Sequence, residues 1–337
     1  MLAVPRLHEK VLSAVLATGI PGRMRTAVER QLLKRRPYGV DIPVTWADRG
    51  PSTDVARYWT GHLVRSRPFI SARHSARYLE WRFREYPRFR ELSGLYGVHD
   101  GETILDYGCG PGNDLVGFAI HTNARRIIGA DVSSSALALA MQRLSLHPQA
   151  EGRVELFQLA EDDIALPLPD ASIDFLSSQG VIHHTSDPDA VLAELARVVR
   201  PGAAGSVMVY NRDSVWFHLS TAYELQIIEG RWADETVDEA FRHNTDGPDC
   251  PISRAWSPET FVAMCERAGF EADFLGGYPS RMELDSMRRW LDRGRRDERL
   301  ADEHREFLAR ITFDPDGLPM RDGVYAGIGG TYRLRRV

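Results

Sequence analysis

Cysteine is scarce in this chain. Cys109, Cys250 and Cys265 are the only three in 337 residues, too few and too scattered for a disulfide framework or a metal-ligand cluster. No metal site is expected, and a reducing cytoplasm fits. Lysine is scarcer still, with Lys10 and Lys34 the only two, so the basic charge is almost all arginine. No apolar run approaches the roughly 20 residues that span a bilayer, and no membrane partner is expected. Near the start, Leu2, Leu7, Val11 and Val15 fall at helical spacing, but Arg6, His8, Glu9 and Lys10 interrupt them. That excludes the apolar stretch of a signal peptide. Positive charge is not in excess either: the formal net charge is -5, so bulk electrostatics do not recruit nucleic acid. Internal repeats and low-complexity tracts are absent.

What is there is an ordinary globular composition, 43% hydrophobic and 26% charged, long enough for one large domain or one domain with substantial insertions. Charge is uneven along the chain. The first hundred residues hold about twice as many basic as acidic side chains. From Arg65 to Arg90, arginines alternate with Phe69, Tyr78, Trp81, Phe83, Tyr86 and Phe89. This run reads either as a site for an anionic small molecule or as the solvated basic side of an amphipathic helix.

Residues 1–97 read as a helical extension, punctuated by a Pro/Gly-bearing linker from Pro37 to Pro51. From about 98 onward, strands and helices alternate. Strands are expected at 103–106, 126–132, 154–159, 173–177, 205–210, 271–275 and 330–335. Helices are expected at 115–124, 133–146, 187–199 and 258–268. The Ser133 cluster suits a helix cap, Pro188 suits a first turn, and Arg200-Pro201-Gly202 suits an exit. Such alternation specifies an α/β fold with a mostly parallel sheet covered on both faces. Two polar segments, about 212–256 and 281–323, break the pattern. They read as insertions covering one edge of the sheet, the second helical from Leu284 to Leu308.

In an open α/β sheet the ligand sits beyond the carboxyl ends of the strands. After the first strand comes Asp106-Tyr107-Gly108-Cys109-Gly110-Pro111-Gly112. Glycine there permits positive φ and close approach of the backbone to a ligand. The spacing is G-x-G-x-G; Asn113 stands where a nicotinamide-binding G-x-G-x-x-G needs glycine. After the second strand comes Asp131, an acid placed to accept from both hydroxyls of a ribose. Glu161-Asp162-Asp163, Gln179 and His183-His184 follow the next two strands. Gly327-Ile328-Gly329-Gly330 precedes a strand and reads as a bulge or tight turn.

This ordered set, over about residues 100–211, resembles the class I S-adenosylmethionine-dependent methyltransferases that act on small molecules. Asp106 to Gly112 is similar to their motif I and Gly129-Ala130-Asp131-Val132-Ser133 to motif II. Leu166-Pro167-Leu168-Pro169-Asp170 through Asp174, His183-His184 and Arg197 to Gly202 resemble the later motifs. Tyr107 departs from the small aliphatic residue usual after the acid. The resemblance implies a Rossmann-like, mostly parallel seven-stranded sheet with an antiparallel last strand. It also implies S-adenosylmethionine as cofactor and S-adenosylhomocysteine as product. Gly108, Gly110 and Gly112 would pass the methionine portion, Asp106 would support that loop and the ammonium, and Gln179 would face the methionine. Asp131, with Val132 beside it, would take the ribose. Asp162, or Asp163 one register on, would accept from the adenine amino group; a solvated loop looks the same in sequence.

Methyl transfer needs in-line positioning, and a hydroxyl nucleophile also needs its proton removed, a task suited to histidine. His184, then His183, is the candidate base; a helix-start histidine bonded to backbone is the alternative. Tyr58, Trp59, His74, Tyr210 and Asp213 are candidates for the substrate pocket. O-methylation of a sugar or natural-product intermediate is the leading expectation, with C- or N-methylation of a small metabolite, a non-catalytic scaffold and an NAD-dependent oxidoreductase as rivals. A homodimer is compatible with the chain.

Overall fold

The computed structural model describes residues 22–34, 36–47, 53–64, 67–160 and 164–337. Glu161, Asp162 and Asp163 lie outside these. Strands follow one another as β1 (Val44–Thr45), β2 (Thr103–Tyr107), β3 (Arg126–Asp131), β4 (Val154–Gln158), β5 (Ile173–Gln179), β6 (Val199–Tyr210), β7 (Phe270–Tyr278), β8 (Thr312–Phe313), β9 (Pro319–Arg321), β10 (Val324–Tyr325) and β11 (Gly329–Arg336). Among the described residues, eight of them form one sheet in the order β1-β4-β3-β2-β5-β6-β11-β7. The pairs from β1 to β6 are parallel, and β11 runs antiparallel to both β6 and β7. The expected Rossmann-like sheet is present, with one addition. The linker carries β1, whose Val44 and Thr45 pair with Leu156 and Phe157 at the sheet edge; two residues are too short a run to show a period.

The sheet is sealed on both faces. Leu105 and Ile128 belong to one apolar cluster and Ile104 and Ile127 to another, as alternation along a pleated strand requires. Strand order reverses between β2 and β5, so the crevice of the fold opens beyond their carboxyl ends.

Helices α1 (Gly22–Leu33), α2 (Asp54–Gly61), α3 (Ala72–Glu85) and α4 (Phe89–Ser93) precede the alternating region. Within it lie α5 (Asn113–His121), α6 (Ser134–Leu144) and α7 (Pro188–Val198). Ser133 caps α6 by accepting from Ala136 N, and Asp187 caps α7 by accepting from Ala190 N. α5 starts two residues before the expected position, because Gly112 turns the chain at φ 76° and leaves Asn113 and Asp114 in the first helical turn.

The first insertion is not uniformly polar, contrary to expectation. Trp216–Ile228 is a π-helix buried from Trp216 to Tyr223 and again at Leu225, and α8 (Val237–Asp246) follows. A helix buried on all sides carries no polar face to reveal it. After α9 (Pro258–Arg267), the second insertion supplies α10 (Arg281–Gly294), α11 (Asp302–Ala309) and the small sheet β8-β9-β10. Leu219 and Tyr223 of the π-helix pack with Leu284, Leu291, Phe307 and Leu308 of α10 and α11 in a separate core. The Gly-rich segment before β11 leads into a bulge, where the β11–β7 register shifts between Thr331 and Tyr332.

Candidate active site

A cavity of about 630 Å³ opens beyond β2 and β5. Its floor is the loop after β2. Gly108 has φ 76°, and a Cβ there would lie 2.2 Å from Val181, so only glycine lets the two crossover loops touch. Gly110 has φ 51°, and a Cβ there meets nothing within 4 Å; that backbone faces open space. Gly112 packs α5 on α6 instead, with a Cβ meeting Ala140 at 3.2 Å, and it does not line the cavity.

Asp131 stands on the wall beside Gly110. Its carboxylate accepts from Gly110 N and Ser133 N, each at 2.8 Å. Burial raises its pKa while the two amides pull it back down. Val132 also lines the wall. Gln179 donates its amide to Ser206 O at 2.9 Å, which leaves its buried Oε1 without a partner. An orphaned acceptor, a carboxylate and an open glycine backbone around one space suit a ligand that donates hydrogen bonds.

Asp106 is not on the cavity wall. It is buried under the loop, where Ser177 Oγ donates to it at 3.0 Å, and burial followed by the nearby Asp114 holds its pKa well above the usual range. Arg82, from α3, takes a wall position that the arginine count alone did not single out. Its Nη1 lies 2.7 and 2.9 Å from the two oxygens of Asp114, and Tyr96 donates to the same carboxylate. Arg73, Arg77 and Arg84 of the same helix are exposed. The cationic grip expected for an anionic molecule is therefore not found among the described wall residues.

At the other end, β5 runs into the turn Ile182–His184, and the two histidines part company. His183 is wholly buried, 3.9 Å ring to ring from Tyr210, with no partner on either nitrogen. Burial pushes its pKa well below the ordinary value. It does not line the cavity, so a base role facing that space falls away. His184 does line it. Its Nδ1 sits 2.7 Å from the carbonyl of Ile252; a carbonyl only accepts, so Nδ1 carries the proton and neutral Nε2 offers a lone pair. Nε2 is 3.7 Å from Asp246 Oδ2. Burial lowers the His184 pKa, opposed by Asp246 and by the Ile252 bond.

Asp246 ends α8, and the sequence reading did not single it out. Tyr210 and Ser253 donate to its two oxygens, each at 2.9 Å, and Tyr58 donates to its backbone carbonyl. Tyr210 and Trp59 line the cavity, and the Trp59 ring lies 4.8 Å from that of His184. Cys250 comes within 4.8 Å of His184 and Asp246. Its thiol is pushed up to about 11 by burial and then by Asp246.

Three expected pocket residues lie elsewhere. Tyr58 stands behind Trp59, stacked 4.1 Å from His62. His74 packs against Phe69, with Nδ1 3.5 Å from Ile70 N. Asp213 accepts from Arg321 at 3.0 Å, outside the cavity. For these, side-chain direction along the helix or loop decides which residue faces the cavity.

Residues 105–206 match the family described as a methyltransferase domain. Over these residues the chain is similar to methyltransferase domains. Beyond that domain the likeness thins. An uncharacterized 37.1 kDa protein in a transposon of Streptomyces fradiae is 35% identical over 44% of this chain and 40% of its own length. A malonyl-[acyl-carrier protein] O-methyltransferase of Serratia marcescens is 36% identical over 33% of this chain and 39% of its own. The chain thus spans less than half the length of these relatives. A solved methyltransferase from Mesorhizobium loti is 17% identical, over 74% of this chain and 97% of that one, with a TM-score of 0.46. The matched methyltransferase domain holds the glycine loop, Asp131, Gln179 and His184. It stops before Tyr210 and Asp246, and α2 with Trp59 lies ahead of it.

Proposed function

We propose that the chain transfers the methyl of S-adenosylmethionine to a hydroxyl of a small molecule, with His184 as proton acceptor. The observation that carries this is the Nδ1 bond to Ile252, which puts the neutral ring's proton on Nδ1 and leaves Nε2 of a cavity-lining histidine as the lone-pair nitrogen, while burial favours the neutral ring. The cofactor supplies an electrophilic methyl on a sulfonium, so the protein's work is positioning, charge and proton removal. Gly110 lets backbone approach the methionine portion, Gln179 Oε1 accepts from its ammonium, and Asp131 accepts from the ribose hydroxyls, with Val132 beside it. Asp162 or Asp163 remains the reading for the adenine amino group. His184 takes the proton at Nε2, where the charge it gains faces Asp246. The extension with Trp59 and the two insertions form the cover over the acceptor. The relative named for O-methylation supports an oxygen acceptor.

Calorimetry with S-adenosylhomocysteine and with NAD separates this from an oxidoreductase: S-adenosylhomocysteine alone should bind, and exclusive NAD binding would end the proposal. With labelled cofactor and a panel of phenols and sugars, His184→Gln should lower kcat about a hundredfold or more. The affinity for S-adenosylhomocysteine should stay within about twofold, because Gln179, Gly110 and Asp131 are unchanged.

A further inference from the structure

The charge and wetting of the cavity narrow the acceptor further. Arg82 is the only arginine or lysine among the described wall residues, and Asp114 already neutralises it. His62 is held through Nδ1 by the carbonyl of Tyr58, and burial keeps His184 inclined to neutrality. Against them stand Asp131, Asp187 and Asp246 on the same wall. Taking a carboxylate or phosphate out of water into that surround sets it beside these carboxylates with no unpaired arginine or lysine among the described wall residues. Much of the remaining lining is aromatic, with Trp59, Tyr78, Tyr86, Tyr107, Trp216 and Tyr278 all facing one space. At the open side, three apolar side chains from three separate segments stay in water: Val64 at 74%, Trp81 at 41% and Met282 at 61% exposure. Single exposed apolar residues are ordinary, but several around one cavity mouth mark a surface that another apolar group covers. Arg281 Nε donates to the carbonyl of Arg84, which holds the start of α10, and so Met282, beside α3 with Trp81.

We infer that the acceptor is an uncharged, ring-bearing hydroxyl compound with an apolar tail, its ring among the aromatic walls and its tail leaving past Val64, Trp81 and Met282. This rests on the methyl-transfer reading for the identity of the site, while its charge and tail content are separate. The ring would stack or meet edges with the aromatic walls, and the tail would remove both itself and the rim from water.

The test uses 4-alkylphenols and 4-alkylbenzoates with ethyl, butyl and hexyl tails, titrated by calorimetry into the full chain with and without saturating S-adenosylhomocysteine. Binding of S-adenosylhomocysteine itself judges the methyl-transfer reading. Independently, the phenols should tighten by up to about fourfold per added methylene, and each benzoate should bind about tenfold or more weaker than its phenol. The variants Trp81→Ser and Met282→Ser should each flatten the dependence of affinity on tail length. Benzoates binding as well as phenols would overturn the charge assignment. A length dependence that is absent, or that survives both variants, would overturn the rim.

Discussion

At the scale of single residues, the glycine loop holds positions that look alike in sequence and do different work. Gly108→Ala drives a Cβ into Val181 and should unfold at lower denaturant, by about 2–4 kcal/mol. Gly110→Ala meets no neighbour, so its cost should be near the left-handed penalty of about 1–2 kcal/mol, yet it should weaken S-adenosylhomocysteine in calorimetry because the new methyl enters the cavity. Asp131→Ala should weaken the same ligand by about tenfold or more. Equal destabilisation by the two glycine variants would count against this division. Much of this half was legible, since the glycines and Asp131 directly follow strands that meet at the switch point. His183 and His184 were not separable in sequence; burial and one carbonyl tell them apart. Asp246 was beyond reach, because its partners Tyr58, Tyr210 and Ser253 come together only through the fold.

Between elements, polar bonds fasten the N-terminal helices to the sheet domain. Phe69 N donates to Gln142 Oε1 at 3.1 Å, and Gln142 Nε2 donates back to Phe69 O at 2.7 Å. Arg143, wholly buried, donates to Ser75 Oγ at 2.8 Å and Ser75 O at 3.1 Å, and its guanidinium lies 4.3 Å from the Phe69 ring. A buried guanidinium held in this way is costly to remove. Arg143→Ala should cost about 3 kcal/mol in chemical denaturation and should speed proteolysis between residues 54 and 97 ahead of the sheet. Cleavage at the same rate as in the parent chain would show that the clasp is not needed. In sequence this arginine is one more residue of the helix expected at 133–146, because nothing local announces a partner 68 residues earlier. The buried π-helix was misread for a related reason: its neighbours, not its own pattern, make it a core.

For the molecule as a whole, Glu283 joins sheet to cover. Its carboxylate accepts from Ser280 N, Trp216 N and Ile328 N, tying α10, the π-helix and the approach to β11. Burial raises its pKa to about 7 despite these three amides. Between the ordinary carboxyl value and about 7, the folded state binds more protons than the unfolded one. Its contribution is therefore fully present below the unfolded pKa and is lost as pH rises through the folded value, by up to about 3 kcal/mol. The stability gap between the parent and Glu283→Gln should narrow from pH 5 to pH 8; a constant or widening gap in denaturation midpoints would refute it. The wall at Asp246 has a wider consequence. It is a seam where three distant lengths of chain meet: the N-terminal helices at Tyr58, the sheet at His184 and Tyr210, and the first insertion at Asp246 itself. A seam of this kind has no single hinge. Whatever occupies the cavity on that side presses on all three at once, and exchanging the insertion re-cuts that side while the glycine loop and Asp131 stay as they are.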